Sequence, residues 1–139
     1  CGIGTIGIFA SNQVKKVYGI EIVEEAVEAA KENAKINNVD NIEFIVGDVE
    51  KAFKVLIHEK KIMPNAVIVD PPRRGLDNTT IKILNELDLK KLVYISCNPA
   101  TMVRDLKMLE EKYEIKEIQP VDMFPYTSHV ECVAVLELK

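Results

Sequence analysis

Short hydrophobic runs alternate along the chain with longer segments in which apolar residues recur at helical spacing. The runs are nearly continuous and rich in β-branched residues, which is typical of strands buried on both faces of a parallel sheet. We predict strands at four of these runs, which lie at residues 17–22 (VYGIEI), 42–46 (IEFIV), 66–70 (AVIVD) and 92–97 (LVYISC).

The segments between these runs have the period of amphipathic helices. Residues 23–38 (VEEAVEAAKENAKINN) carry apolar side chains at helical spacing and end at two asparagines, which is a helix stop signal. Similar patterns occupy residues 49–61, 79–87 and 99–112. Pro99 fits the first turn of the last helix, because the N–H that proline lacks would have no partner there. We therefore predict a helix in each segment.

The C-terminal region differs, because residues 113–124 and 130–139 have strand character but no helix lies between them. Two such strands predict an antiparallel pair, whereas the earlier alternation of strand and helix predicts a parallel sheet. The fold class is therefore α/β, with a doubly wound, mostly parallel sheet and a C-terminal antiparallel hairpin. The glycine turn at residues 1–4 should follow a strand, so we expect the first strand to be truncated and residues 1–139 to be one domain of a longer protein.

Composition narrows the class of protein. The chain has 139 residues, of which 47% are hydrophobic and 29% charged, as in a soluble globular domain. No apolar run approaches the roughly 20 residues that span a bilayer. Three widely spaced cysteines argue against a disulfide framework and favour a reducing, cytoplasmic location. The residues show no cluster with metal-ligand spacing, so we expect no metal.

The net charge of the chain indicates whether it could bind nucleic acid by itself. The formal net charge is −4 and the sequence pI is about 5.3. A self-sufficient nucleic-acid binder is more often basic, so these residues alone are not expected to supply a large nucleic-acid surface.

A glycine turn and a carboxylate point to a nucleotide-like ligand. Residues 2–7 (GIGTIG) match the pattern G-x-G-x-x-G, which allows close approach of a ligand to the backbone at a helix N-terminus. The same pattern also occurs in a plain strand–helix turn. Glu21 ends the 17–22 run, where a carboxylate can accept hydrogen bonds from ribose hydroxyls or remain an exposed charge.

Two aspartates follow the next two predicted strands. Asp48 can meet an adenine edge or cap the helix that begins at Val49, and the two roles are compatible. Asp70 opens the segment DPPRRG (70–75), at the carboxyl edge of the sheet where ligands of open α/β folds bind. A dinucleotide-dependent dehydrogenase explains the glycines and Glu21 but not the Asp70 turn, so the set favours S-adenosylmethionine.

Cys97 lies at the junction between a predicted strand and a predicted helix. The positive end of the helix dipole favours a thiolate there, although a small inert core thiol is the plainer alternative. Methyl transfer to a carbon such as C5 of a pyrimidine requires a thiolate that adds to C6 and a base that removes the C5 proton. The base is expected in residues 122–132, where Glu131 begins the last strand and His129 lies close by. Taken alone, Glu131 would be a solvated charge and His129 a partly buried polar residue.

These residues belong to motifs that resemble a known family. The motifs are CGIG (1–4), DPPRRG (70–75), SCNP with ATMVRDL (96–106), and DMFPYTSHVE (122–131). The chain resembles the RNA (uracil-5-)-methyltransferases, class I S-adenosylmethionine-dependent enzymes with a Rossmann-like fold that make 5-methyluridine in tRNA and ribosomal RNA. The resemblance implies that Cys97 is the nucleophile and Glu131 the base. It implies cofactor contacts at Gly2, Gly4, Thr5, Glu21, Asp48 and Asp70.

The resemblance also has departures and consequences. Thr5 stands where some members carry Asn, and Tyr126 stands where His is expected. The partner would be RNA, bound mainly through upstream domains, with the target uridine flipped into the pocket. Neither a membrane nor an obligate protein partner is expected.

Other functions remain to be compared. RNA 5-methylcytosine methyltransferases resemble this chain but carry a second cysteine in a Pro-Cys turn, whereas residues 71–73 are Pro-Pro-Arg. An amino-group methyltransferase favours an aromatic residue at position 73 and leaves Cys97 without a purpose. A cofactor-binding module that is inactive in isolation is a further alternative, and an NAD-linked dehydrogenase is a more distant one.

Overall fold

Six strands and five α-helices follow one another in the order that the sequence pattern predicts. The computed structural model describes all 139 residues, which divide into two units, Cys1–Ile62 and Met63–Lys139. The α/β class is confirmed. Within the first unit the strands pair as a two-stranded sheet, and within the second unit they pair as a four-stranded sheet.

The first unit contains two parallel strands and three helices. Strands β1 and β2 pair in parallel from Val17 opposite Ile42 to Glu21 opposite Val46. The elements are α1 (Thr5–Ala10), a short 3₁₀ turn (Ser11–Gln13), β1 (Val17–Glu21), α2 (Glu24–Ile36), β2 (Ile42–Val46), and α3 (Val49–Phe53), which continues as a π-helical segment (Lys54–Glu59). The buried apolar residues of this unit include Val27, Ala30, Ala34, Ala52, Phe53 and Leu56.

The second unit contains a mixed sheet in the strand order β3-β4-β6-β5. Strands β3 and β4 are parallel, whereas β6 is antiparallel to both β4 and β5, so the predicted C-terminal hairpin is present. The elements are β3 (Ala66–Val69), α4 (Asn78–Glu86), β4 (Lys91–Ser96), α5 (Pro99–Leu109), β5 (Tyr113–Val121) and β6 (Glu131–Leu138).

The two faces of this sheet differ in burial, which positions the site. Alternate residues of β4 and β6 are buried, namely Leu92, Tyr94, Ser96, Cys132, Ala134 and Leu136. The Tyr94 hydroxyl donates a hydrogen bond to Asp105 of α5, so α5 covers this buried face. Because side chains alternate along a strand, the intervening residues point to the opposite, half-buried face. No helix of the chain is both long and apolar enough to cross a membrane.

Candidate active site

The register of the mixed sheet brings Cys97 and Glu131 together. The last pair between β4 and β6 joins Ser96 to Cys132. Continuing that register by one residue sets Cys97 opposite Glu131. Directly opposite residues of an antiparallel pair have Cβ atoms about 4.5–5.5 Å apart and share a face of the sheet. That face is the half-buried one, since Ser96 and Cys132 point into the core.

Asp70 lies at the same end of the sheet. The parallel pairing of β3 with β4 ends with Val69 opposite Tyr94. The next position sets Asp70 beside Ile95, which lies on the same face as Cys97 because it is two residues away. The three polar groups that the sequence indicated in this unit therefore meet at one edge of one sheet.

The carboxyl groups at this edge repel each other. Burial raises the pKa of Glu131 above its usual value, and the negative charge of Asp70 raises it further. Partial burial of its carboxyl group also raises the pKa of Asp70. Both shifts mean that the ionised forms are disfavoured, so a bound cation at this edge would stabilise them.

A tight turn presents Cys97. The hydroxyl of Ser96 accepts a hydrogen bond from Asn98 N at 3.0 Å and donates one to Asn98 O at 3.1 Å, which closes the turn around the cysteine. Cys97 itself is half-buried rather than part of the core. Asn98 then caps α5, because its side chain accepts a hydrogen bond from Ala100 N. That the helix favours a thiolate stays a prediction.

Asn98 has a second role that the sequence reasoning missed. Its Nδ2 donates to the carbonyl oxygen of Arg73 at 3.0 Å, and Thr101 Oγ1 donates to the same oxygen at 3.1 Å. The loop after Asp70 is thereby attached to the first turn after Cys97. Asn98 directly precedes Pro99 at the predicted start of α5, and this Asn-Pro pair is a sequence signal that could have indicated the N-cap. No sequence signal indicated the contact with Arg73.

The loop before Glu131 contains a defined turn. Thr127 N donates to Phe124 O at 3.2 Å, and Tyr126 has a φ of 67° and is fully exposed. His129, considered as a neighbour of the base, is exposed and its ring packs edge-on against Phe124 with centroids 6.4 Å apart. His129 therefore has a packing partner within its own loop.

In the first unit, the glycine turn leads directly into a helix. Gly4 has a φ of 87° and is the N-cap of α1, and Gly2 has a φ of 53°. Thr5, the first residue of α1, is exposed. A Cβ at Gly2 would meet no atom within 4 Å, so the backbone of the turn is open on that side. Such an open turn permits a ligand to approach the main chain closely.

Glu21 holds this turn. Its Oε2 accepts a hydrogen bond from Gly2 N at 2.8 Å, and its Oε1 accepts from Ile22 N and Val23 N. A carboxylate has about four acceptor sites, so these three main-chain donors leave one site for a ribose hydroxyl.

Asp48 performs one of its two predicted roles in this structure. Its Oδ1 accepts a hydrogen bond from Lys51 N at 2.8 Å, so the helix-cap interpretation is confirmed. Its Oδ2 has only the Lys51 ammonium nearby, at 3.9 Å, and the side chain is about half exposed. That second oxygen remains able to accept a hydrogen bond from a ligand.

We predict that Gly4→Ala lowers the free energy of unfolding by about 1–3 kcal/mol, because the left-handed backbone is strained for alanine. The new methyl group would also lie 3.0 Å from the Phe44 ring and 3.1 Å from Ala30 Cβ. Urea denaturation measures the loss. Gly2→Ala is the matched control, since it has positive φ without crowding, and it should cost less. Equal losses for the two variants would contradict the role of close packing at Gly4.

Comparison with protein families gives one match to the whole chain. The family model described as tRNA (Uracil-5-)-methyltransferase matches residues 1–139. A relative from Halalkalibacterium halodurans, described as an uncharacterized RNA methyltransferase, is 50% identical over 140 residues. One from Oceanobacillus iheyensis with the same description is 51% identical over 140 residues. Both alignments cover 100% of this chain and 30% of the relative, so the chain spans about 30% of their length.

Comparison with solved structures gives matches to other methyltransferases. The tRNA (uracil-54, C5)-methyltransferase of Pyrococcus abyssi, in complex with S-adenosyl-L-homocysteine, has 43% identity and a TM-score of 0.80, over 97% of this chain and 32% of that one. A rRNA methylase from Streptococcus thermophilus has 18% identity and a TM-score of 0.72, over 99% of this chain and 81% of that one, which shows a shared fold. Since the family model matches every residue, the chain belongs to the tRNA (uracil-5-)-methyltransferase family.

Proposed function

We propose that residues 1–139 form the catalytic domain of a longer, S-adenosylmethionine-dependent enzyme that methylates C5 of uridine in tRNA or ribosomal RNA. The main support is the register of β4 and β6, whose continuation puts a thiol opposite a carboxylate. Family membership and the 30% coverage of the relatives support the reaction class and the longer parent. All three cysteines are free, which supports a reducing, cytoplasmic location.

Each unit, taken by itself, contains residues that fit the cofactor. In the first unit, the open backbone at Gly2, the left-handed turn at Gly4 and the accessible Oδ2 of Asp48 suit a ligand that approaches main chain and accepts or donates hydrogen bonds. Thr5 and Glu21 flank the same turn. In the second unit, the family resemblance assigns a cofactor contact to Asp70, and a positively charged ligand would relieve the cost of its ionised form. When bound, S-adenosylmethionine supplies an electrophilic methyl group.

Cys97 performs the first chemical step. Its sulfur adds to C6 of the uracil ring, and the C5–C6 π electrons move toward the C4 carbonyl oxygen. This addition makes C5 nucleophilic enough to accept the methyl group. The turn closed by Ser96 and Asn98 holds the sulfur at the end of the strand, so little reorganisation is needed for attack.

Glu131 completes the reaction. After methylation, C5 carries both a hydrogen and a methyl group. The carboxylate of Glu131 takes the C5 proton, the C5–C6 double bond re-forms, and the electrons of the C6–S bond return to Cys97. A raised pKa suits this role, because it makes the carboxylate a stronger base than an exposed glutamate.

The cysteine inventory favours uracil over cytosine. The 5-methylcytosine enzymes need a second cysteine in the turn after the strand that ends at Asp70, and residues 71–73 contain none. Cys132, the other cysteine of the second unit, does not substitute for it, because it is buried on the core face of β6.

The product identifies the function directly. The full-length protein would be incubated with unmodified tRNA and rRNA and S-adenosylmethionine, and the digested nucleosides analysed by mass spectrometry. We expect 5-methyluridine. Formation of 5-methylcytosine or an N-methylated base, or no methylated nucleoside from any RNA, would refute the proposal.

The pH dependence of kcat tests the interaction between the two carboxylates. Glu131 must be ionised to accept the proton, so the rate should fall as pH falls through its raised pKa. Asp70→Asn removes a negative charge that raises this pKa. We therefore expect the acid limb of the kcat profile, measured at saturating cofactor and RNA, to move to lower pH.

The control for this shift is Asp88→Asn, which removes the same charge from an exposed aspartate paired with Lys112. Its acid limb should coincide with that of the wild type. An unchanged or higher limb in Asp70→Asn would show that Asp70 does not interact with the catalytic base.

A further inference from the structure

A buried carboxylate in α5 has no part in the reaction described above. Asp105 is 0% exposed and accepts four hydrogen bonds. They come from Leu76 N at 2.7 Å, from Tyr94 Oη at 2.6 Å, and from Arg104 Nε and Nη2 at 2.8 and 2.6 Å. One carboxylate thus links the sheet, the helix and the loop that follows Asp70.

The neighbouring arginine binds the same loop. Arg104 Nη2 donates to the carbonyl oxygen of Arg74 at 2.9 Å while its guanidinium pairs with Asp105. One turn earlier, Asn98 and Thr101 hold the carbonyl oxygen of Arg73. The backbone of the loop is therefore bound at successive residues by the first two turns of α5. We call this set of contacts the loop clamp.

The packing at Gly75 shows how closely the loop is held. Gly75 is buried with a φ of 80°, and a Cβ there would lie 2.5 Å from Asp105 Oδ2 and 2.6 Å from Arg104 Nη2. The loop backbone thus lies directly against the buried Asp105 carboxylate and the half-exposed Arg104 guanidinium. Only glycine satisfies both the left-handed conformation and the close approach.

Burial of the Asp105 carboxylate has a high desolvation cost. The desolvation cost often exceeds the attraction, so apolar residues of equal volume would usually stabilise the fold as well. Hydrogen bonds from a charged group, however, fix the direction of backbone groups in a way that apolar packing does not. The arrangement at Asp105 fits this role of fixing backbone direction. Leu76 N is itself a backbone group of the loop, and Arg104 also binds the carbonyl oxygen of Arg74.

We propose that Asp105, together with Arg104, is a positioning residue that fixes the loop of residues 71–76, and with it Asp70, relative to the strand end that carries Cys97. The catalytic consequence rests on the proposed function, whereas the clamp itself does not. The helix that begins immediately after Cys97 holds the loop that begins immediately after Asp70. The two active-site groups are therefore set by one rigid element rather than by the ends of two strands alone.

Asp105→Asn in the full-length protein tests the clamp. The variant keeps the side-chain shape but loses the charge and one acceptor oxygen. We expect the peptide covering residues 71–76 to exchange its amide hydrogens about tenfold faster, with core peptides unchanged. We expect kcat to fall by about 10- to 100-fold, as for a small misplacement of reacting groups, with a much smaller change in KM for RNA.

Tyr94→Phe is the matched control. It removes a hydrogen bond to the same carboxylate from the sheet side and keeps the hydrogen bonds that Asp105 accepts from Leu76 and Arg104. It should lower the melting temperature but change neither loop exchange nor kcat by more than a few-fold. If Tyr94→Phe lowers kcat as much as Asp105→Asn, Asp105 has only a structural role and the proposal is overturned.

A second variant disturbs the loop clamp by a change in the loop itself. Gly75→Ala should also speed exchange at residues 71–76 and lower kcat, so the test survives if Asp105→Asn does not fold. Unchanged loop exchange in the folded variants would overturn the proposal. A wild-type protein that methylates no RNA would instead refute the proposed function, and the exchange measurement, which needs no substrate, would still decide whether Asp105 holds the loop.

Discussion

Cys97→Ala is expected to abolish methyl transfer to uridine, lowering the rate by more than about 10⁴-fold, as when an enzyme loses its nucleophile. Without addition of sulfur at C6, C5 of the ring is too weak a nucleophile to react. Cys132, the other thiol of the second unit, cannot replace the lost one because it points into the core. Transfer of a labelled methyl group to RNA measures the loss.

The loss of activity in Cys97→Ala should not result from unfolding of the variant. Cys97 is half-buried at the tip of a turn whose hydrogen bonds are made by its neighbours, so alanine leaves the turn intact. Cys132→Ala serves as the control, since it removes a thiol from the adjacent strand and should keep activity within a few-fold. A Cys97→Ala enzyme with normal turnover would rule out covalent catalysis.

The strands were predictable because each is marked by a compact run of β-branched residues. Residues 42–46 match β2 without a shift, β1 and β3 end one residue earlier than predicted, and β4 begins and ends one residue earlier. The helical segments were less well described. The 49–61 pattern covers a short α-helix followed by π-helical turns, and hydrophobic spacing alone does not distinguish these hydrogen-bond patterns.

For the candidate site, the sequence allowed us to predict which strand end carries each residue. Asp70, Cys97 and Glu131 follow or begin strands, and topology alone sends those ends to one edge of the mixed sheet. The alternation of side chains then decides which face they share. Glu131 shares a face with Cys97 because both are one residue beyond a pair that points into the core.

Side-chain partners could not be predicted. The ribose contact predicted for Glu21 stays a prediction, whereas its hydrogen bonds to the main chain of the glycine turn and of residues 22–23 could not be predicted. Asp105 lies within a helical pattern that does not indicate a buried carboxylate paired with an arginine. Such partners depend on which loop packs against which helix, and that information is absent from local spacing in the sequence.

Replacing Glu131 by glutamine is expected to trap a covalent complex between the protein and RNA. Glutamine keeps the shape of the side chain but cannot take up the C5 proton. Addition of Cys97 and transfer of the methyl group would still proceed, since neither step uses the carboxylate as a base. The C6–S bond would then persist, because its electrons can leave only when the C5 proton is removed.

A denaturing gel with labelled RNA measures the trapped species as a slowly migrating band that resists boiling and disappears after nuclease treatment. The double variant Cys97→Ala/Glu131→Gln should give no such band, which identifies the sulfur that forms the bond. Glu137→Gln is the matched control, because it alters a glutamate of the same strand, paired with Lys91, at the opposite end of β6. A Glu131→Gln enzyme that turns over without an adduct would assign the base to another residue, since covalent catalysis cannot release its product while the C5 proton remains.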